Sequence, residues 1–320
     1  MKLSIVIPCY NEEENVFVIY HEIKTTLKKI KDYEMIFIND GSKDNTFLNL
    51  KKICNNTKEN VQIINFSRNF GKESAMYAGL KMSCGEYVSI IDADMQQDPK
   101  LILKMVEFLD NHKDYDSVAM YQEKRIEGKC LTFFKNHFYK IMNKMSEINF
   151  VQGASDFRTF RRCMVDSILE MGEYHRFSKG IFSWVGYHTY YMPYEVKKRE
   201  NGKTSWSFWK LLKYAIEGIV SFSTVPLRLA TVIGIVTFLI SLLYFLFLVI
   251  QKLFFAISIS GYAMLIVLIL LLGGLQLFSL GILGEYVARN YIESKKRPIY
   301  IAKDIISSHK YPLNKNQDKI

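Results

Sequence analysis

The chain has few cysteines and no CxxC motif. Its five, Cys9, Cys54, Cys84, Cys130 and Cys163, are scattered without a CxxC pair or metal-ligand spacing, so they fit reduced thiols in a cytosolic domain. Internal repeats and low-complexity segments are also missing. No secretory signal is expected at the N-terminus: the first apolar stretch, Leu3 to Pro8, is too short for an h-region and reads as a strand. The formal net charge of +10 invites a nucleic-acid reading, but no recognised nucleic-acid motif supports it and the lysines are spread along the chain. A dense basic cluster, Lys295-Lys296-Arg297, sits just past a long apolar run, a placement that suits an anionic membrane surface.

Two apolar runs are present, Leu227–Ile250 and Tyr262–Leu283. Each exceeds the roughly 18–20 residues that cross a bilayer core, and two in tandem with a short connector predict a membrane hairpin. The connector Gln251–Gly261 holds Lys252 as its one basic residue. Lys210 and Lys213 precede the first run and Arg228 stands at its start, and Arg289 and the basic cluster follow the second, which predicts both termini on the cytoplasmic side.

The first half of the chain alternates strand and helix signals. Strands are expected at Leu3–Pro8, Glu34–Ile38, Val61–Phe66 and Tyr87–Ile91. Helices are expected at Glu12–Lys29, Thr46–Cys54 and Lys72–Cys84, with a last one from Pro99 to about Asn111. This order predicts an α/β fold with a largely parallel sheet covered by helices. Ligands of such sheets bind beyond the carboxyl ends of the strands, where Asp40, Arg68 and Asp92 all fall. From Tyr121 to Phe150 the pattern is helical and less regular, Trp184–Tyr194 reads as strand, and the tail after Lys303 reads as polar and loosely ordered. The spacing of Trp206, Trp209, Leu212, Lys213, Ile216 and Val220 suits a helix lying at a membrane interface.

The stretch "VSIIDADMQQDP" sets carboxylates at the end of a buried strand. They repel one another and lose solvation, so a compensating cation is required. On an extended segment Asp92 and Asp94 share a side, and a divalent ion with hard oxygen ligands would relieve them. Asp98-Pro99 reads instead as a helix start, with Asp98 the N-cap.

Five stretches then occur in order: "SIVIPCYNEEENV", "NDGSKDNT", "FSRNFGKESAMYAGL", "DADMQQDP" and "GASDFRTFRR". Together they resemble family-two glycosyltransferases of GT-A fold, and within them the polyprenyl-phosphate group of the bactoprenol glucosyltransferases and dolichyl-phosphate mannose synthase. The resemblance covers essentially the whole chain, and what it implies is specific. Pro8, Tyr10 and Glu12 match the loop that cradles base and ribose, and Asp40 the carboxylate that contacts uracil or ribose, with Asn39 where the family more often has aspartate. Asp92, Ala93, Asp94 and Gln96 match the metal and sugar-nucleotide motif, with Mg2+ or Mn2+ as the implied metal. Arg68 and Lys72 match a loop read as contacting nucleotide or phosphate. Lys124 and Arg125 fall where the family has a mobile acceptor loop, and Arg199, Lys203 and Ser205 lie in a segment implied to meet the acceptor phosphate. Asp156 matches an acid often described as the base; with a phosphate acceptor it is expected instead to orient the acceptor or the sugar hydroxyls, with Arg158 beside it as a pairing or phosphate-holding residue. For both, a structural Asp–Arg pair is the plainer alternative.

The expected reaction is inverting transfer of a hexose, with glucose first among the candidates, from a UDP-sugar to undecaprenyl phosphate at the inner membrane. GDP-mannose and UDP-GlcNAc are alternative donors. A processive polysaccharide synthase is disfavoured because no Arg-Trp dipeptide and only two spans are present, and a non-catalytic scaffold because the aspartates are intact. The expected organisation is a catalytic domain over 1–205, an interfacial region over 206–226, two spans within 227–288 (about 227–250 and 262–284) and a basic tail over 289–320, with homo-oligomers through the membrane part.

Overall fold

The computed structural model describes residues 1–30, 32–122, 151, 153–194, 223, 225–255 and 261–308. The interfacial helix expected at Trp206–Phe222 and the acceptor residues Lys124, Arg125, Arg199, Lys203 and Ser205 lie outside them, as does all but the start of the segment expected to be helical after Tyr121.

The alternating pattern is realised as β1 (Leu3–Cys9), α1 (Val16–Thr26), β2 (Tyr33–Asn39), α2 (Thr46–Asn56), β3 (Asn60–Phe66), α3 (Lys72–Met82), β4 (Tyr87–Ile90) and α4 (Lys100–Asn111). Then come β5 (Ser117–Gln122), β6 (Ala154–Arg161), α5 (Arg162–Glu170), α6 (Ser178–Trp184) and β7 (Thr189–Tyr194). Two long helices follow, α7 (Val225–Phe255) and α8 (Tyr262–Ser294), and then β8 (Ala302–Ser307).

All eight strands join one sheet in the order β7-β5-β6-β4-β1-β2-β3-β8. The four strands read from the sequence form its parallel centre, β1 pairing β2 and β4, and β2 pairing β3. β6 runs antiparallel to β4 and β5, β7 parallel to β5, and β8 antiparallel to β3. Period-two alternation sends Leu3, Ile5, Ile7 and Cys9 of β1 into a core with Val16, Ile19 and Ile23 of α1 and Ile102, Met105 and Leu109 of α4. On the other face α3 approaches closely because it carries Gly79: a Cβ there would stand 2.2 Å from a Val6 methyl. Every central strand thus ends its carboxyl terminus at one rim, between two helical layers.

Two expectations change. Trp184 closes helix α6, and the strand starts only at Thr189, after a turn at Gly186 with φ +74°. The segment after the last helix, expected as a loose tail, is ordered over Ala302–Ser307 as the edge strand beyond β3. The chain accordingly divides into two units, one holding the sheet with its helices and the segment from Pro298, the other holding α7 and α8.

In the second unit, Leu229, Val232, Ile235, Leu239, Ile240 and Leu243 of α7 and Ile269, Leu271, Leu277, Phe278 and Leu280 of α8 are exposed. Both helices contain stretches long and apolar enough to cross a membrane. An apolar surface on this scale requires a nonaqueous surrounding or a partner.

Candidate active site

Two loops at the rim are laced together. After β1, Asn11 takes a left-handed backbone (φ +55°), which asparagine tolerates. Its amide donates to Ser42 Oγ (2.9 Å), and its Oδ1 accepts from the Lys43 amide (2.9 Å). The Glu12 amide donates to Thr46 Oγ1 (2.8 Å), while Glu13 Oε2 accepts from the Asn45 amide (2.9 Å). These bonds fix the Tyr10–Glu12 segment against the turn after β2. Tyr10 is exposed at the tip, and the Glu12 carboxylate accepts from Asn15 Nδ2 (2.6 Å). Pro8 is the penultimate residue of β1.

Asp40 holds a third loop. It is only 3% exposed, and its two oxygens accept the amides of Phe70 (2.7 Å) and Gly71 (2.9 Å). Burial pushes its carboxyl up to about 6 from the ordinary 3.8, against the two amides and the Arg68 charge, which pull it down. The direct contact of Asp40 in this structure is therefore with backbone. Arg68, exposed on the same loop, lies over the Phe70 ring (4.0 Å) and donates to the Asn69 carbonyl (3.1 Å).

Gly41 makes this arrangement possible. It has φ +61°, and a Cβ would meet the Arg68 carbonyl carbon at 2.3 Å. Gly41→Ala is expected to destabilise the protein by about 2–4 kcal/mol, because strain and a backbone clash coincide. Thermal unfolding checks this, with unchanged stability as the contrary result.

Asp92, just past the end of β4, meets a cation of the protein itself. The antiparallel register Ser89↔Thr159, Ile90↔Arg158, continued along both chains, sets Asp92 across from Asp156. Lys72, first residue of α3, bridges them: its Nζ lies 2.6 Å from Asp92 Oδ1 and 3.1 Å from Asp156 Oδ2. Burial alone would lower the lysine and raise Asp156. The opposed charges win in both cases: Asp92 and Asp156 raise the ammonium, while Lys72, Lys179 and Arg158 hold the Asp156 carboxyl well below the usual carboxylate range. Lys72 and Asp156 are therefore both charged at neutral pH.

The backbone of the motif departs from the extended form read from the sequence. Ala93 and Asp94 form a turn, and Met95 sits in the left-handed region at φ +61°. Alternation therefore does not place Asp94. Its Oδ1 accepts from the Gln96 amide (3.2 Å), closing the turn. Ala93 is buried. The amide side chain that orients Asp92 belongs to Gln97, not Gln96: Gln97 Oε1 accepts the Asp92 amide (2.9 Å), and its Nε2 donates to Asp92 Oδ2 (3.1 Å). Asp98 accepts the Lys100 amide (3.0 Å) just ahead of α4, but the cap position itself falls on Pro99, one residue later than expected.

Arg158 is 3% exposed, with its guanidinium over the Phe182 ring (4.5 Å) and donating to the Ser155 carbonyl (3.0 Å). Burial lowers it, partly offset by Asp156. This placement makes it a buried support of Asp156 rather than an open phosphate contact. Glu73, unread in the sequence, accepts both the amide and the hydroxyl of Ser178 and tethers α6 to α3. Burial and the nearby Asp156 charge raise its carboxyl.

Among the described residues no group of three or more His, Cys, Asp or Glu side chains is placed to hold a metal. The oxygens on hand are those of Asp92 and Asp94, with Asp156 Oδ1 buried and without a hydrogen-bond partner. Such a set fits Mg2+ or Mn2+, which take few protein carboxylates and draw their other ligands from phosphate and water.

The family model for glycosyl transferase family 2 matches residues 4–169, which take in β1 from its second residue through β6, with Asp40, Lys72, Asp92, Asp94 and Asp156. The chain belongs to family 2. A second model, the GtrB C-terminal hairpin, matches residues 225–289. Full-length family 2 relatives include an uncharacterized glycosyltransferase of Synechocystis sp., 40% identical over 98% of this chain and 99% of its own. The bactoprenol glucosyl transferase of Shigella phage SfV is 40% identical over 95% of this chain and 99% of its own. A prophage bactoprenol glucosyl transferase homolog of Escherichia coli is 38% identical over 95% and 99%. Among solved structures, glucosyl-3-phosphoglycerate synthase of Mycobacterium tuberculosis superposes on 68% of this chain and 77% of its own at 16% identity, with a TM-score of 0.47. The sheet is the GT-A fold of a family 2 glycosyltransferase, and the chain carries a GtrB-type C-terminal hairpin after it.

Proposed function

We propose that this glycosyltransferase moves a hexose, glucose first among the candidates, from a UDP-sugar to undecaprenyl phosphate at the cytoplasmic face of a membrane spanned by α7 and α8. The observation that carries the reading is the end-to-end similarity to bactoprenol glucosyl transferases, catalytic domain and hairpin together.

The charge pattern of the rim suits this chemistry. A lipid phosphate has a second pKa near ~6 and is largely dianionic at neutral pH, so no strong base is needed to make it nucleophilic. Asp156, with its carboxyl held well below the usual range, is a poor proton acceptor and a good fixed anion. Its role in this reading is to orient Lys72 and the reacting sugar. Lys72 would stabilise charge on the departing diphosphate, and Gln97 would keep Asp92 aimed at it. Asp92 and Asp94 would hold Mg2+ or Mn2+, which when bound neutralises leaving-group charge. Lys124, Arg125, Arg199, Lys203 and Ser205 are the acceptor-side groups of this proposal. Their cations would offset the repulsion between two anionic reactants.

Incubating membranes that contain the protein with undecaprenyl phosphate and labelled UDP-glucose, UDP-GlcNAc or GDP-mannose, then weighing the lipid product, tests the reading. A glucosyl-lipid product supports it. Labelling from another donor alone changes the sugar, and no lipid product from any of them overturns the reading.

The raised Asp40 carboxyl gives a pH prediction. Between the unfolded 3.8 and the folded value of about 6 the native state binds the extra proton, so this group's contribution to stability declines as pH rises through that window. Binding runs the other way. Protonation below about 6 removes an acceptor from the Phe70–Gly71 amides, so UDP-sugar affinity is expected to fall as pH drops through that value. Asp40→Asn is expected to bind roughly tenfold more weakly and to lose this pH dependence. Calorimetric titration at several pH values checks it, and an unchanged slope in the variant would contradict it.

A further inference from the structure

We propose that the segment Tyr300–Ser308, which follows the last long helix, is a positioning element for the donor-side loops, with Asp304 its key residue. The naming of those loops as donor-side rests on the function proposed above; the contacts themselves do not.

Cys9 pairs with Asn39, Asn39 with Asn65, and Asn65 with Asp304, so one transverse row crosses β1, β2, β3 and β8 at the rim. Its side chains are linked: Asn65 Nδ2 donates to Asp304 Oδ2 (2.8 Å), and Asn39 Nδ2 donates to Asn65 Oδ1 (2.7 Å). Both asparagines are buried, where an unpaired amide is costly. The carboxylate at the outer end anchors the row, because it accepts without needing a further donor of its own. At its inner end the row stops at Asn39, next to Asp40, which holds the Phe70 and Gly71 amides.

A second set of contacts reaches the same loop. Tyr300 is buried and stacks on Phe66 (4.9 Å), Phe66 meets Phe70 edge to face (5.7 Å), and the Ser67 amide donates to the Ile301 carbonyl (3.0 Å). Ser308 closes the far end, its Oγ accepting the Val61 amide (3.2 Å) and donating to the Glu59 carbonyl (2.9 Å). β3 is thereby held along its length, and the chain leaves it directly into Arg68–Gly71 and Lys72. An edge strand needed only to cover β3 would require none of the polar row.

The test uses the full chain in nanodiscs. Asp304→Leu removes the anchor and keeps the bulk, Asp304→Asn keeps an acceptor for Asn65, and Tyr300→Leu removes the stack alone. Hydrogen exchange at the Phe70 and Gly71 amides is expected to accelerate in Asp304→Leu and Tyr300→Leu and to stay near wild type in Asp304→Asn. UDP affinity is expected to fall roughly tenfold in Asp304→Leu, the loss of one charge-assisted hydrogen bond, with recovery in Asp304→Asn and an unchanged KM for lipid phosphate. Wild-type exchange at those amides in Asp304→Leu overturns the proposal, and so do equal losses in Asp304→Leu and Asp304→Asn. If Asp304→Leu does not fold, Tyr300→Leu decides by the same exchange measurement. A wild-type protein that binds no UDP sinks the donor reading instead, while the exchange data still decide the positioning role.

Discussion

Lys72→Met is expected to lower turnover by roughly 10²–10³-fold, the usual loss when one preorganised charge-stabilising donor is removed. The lysine is placed for this by three independent features. It opens α3 directly after the Asp40-held loop, it faces Asp92 at 2.6 Å, and it faces Asp156 at 3.1 Å. With 42% of its side chain exposed, it is not a core residue, so its loss should cost activity far more than stability. Initial rates with saturating substrates, set beside the thermal midpoint, make the check. Near-normal turnover would mean that the lysine serves only to keep two carboxylates apart. Lys72→Arg should recover little, because a planar fork cannot reproduce a point charge between two carboxylates at these distances.

Asp156→Asn is the second large effect. Turnover should drop by about 10²–10⁴-fold, the range for a positioned group acting in the transition state, while UDP affinity changes by less than about threefold. The variant keeps the shape and one acceptor oxygen but removes the charge that Lys72, Lys179 and Arg158 surround. Rate and binding measured on one preparation separate the alternatives. Equal losses in both would make Asp156 a structural residue of the Arg158 neighbourhood. A strong rise of rate with pH in the wild type, absent from the variant, would restore a base role.

How far the sequence reaches is clearest around these residues. The order of β1 to β4 and the gathering of Asp40, Arg68 and Asp92 at one rim follow from hydrophobic periodicity, because central parallel strands leave little choice of register or side. What escaped it depends on single dihedrals and on pairings distant in the chain. Gln97 orients Asp92 only because Met95 turns the chain at φ +61°, and nothing in "DADMQQDP" announces a left-handed methionine. Lys72 reads as a loop cation until the register of β6 against β4 brings Asp156 across from Asp92. Ala302–Ser307 carries Lys303 and Asp304 and reads as a polar tail, since an edge strand tolerates charge that a central one would not. Trp184 reads as part of the following strand because a short helix and a short aromatic strand have similar composition.

The place of β8 has a consequence for how the protein can be divided. The strands that flank the two long helices in sequence, β7 and β8, are the two margins of one sheet. The catalytic fold is therefore not a prefix of the chain. A fragment that stops before Val225 lacks β8 and leaves β3 as a bare margin, with the ladder bonds from Gln62 to Phe66 unmade and the buried Asn65 without its carboxylate. Unpaired strand edges of that kind recruit other strands. Such a fragment should be recovered as aggregates, and supplying residues 298–308 as a separate peptide should return it to the monomer.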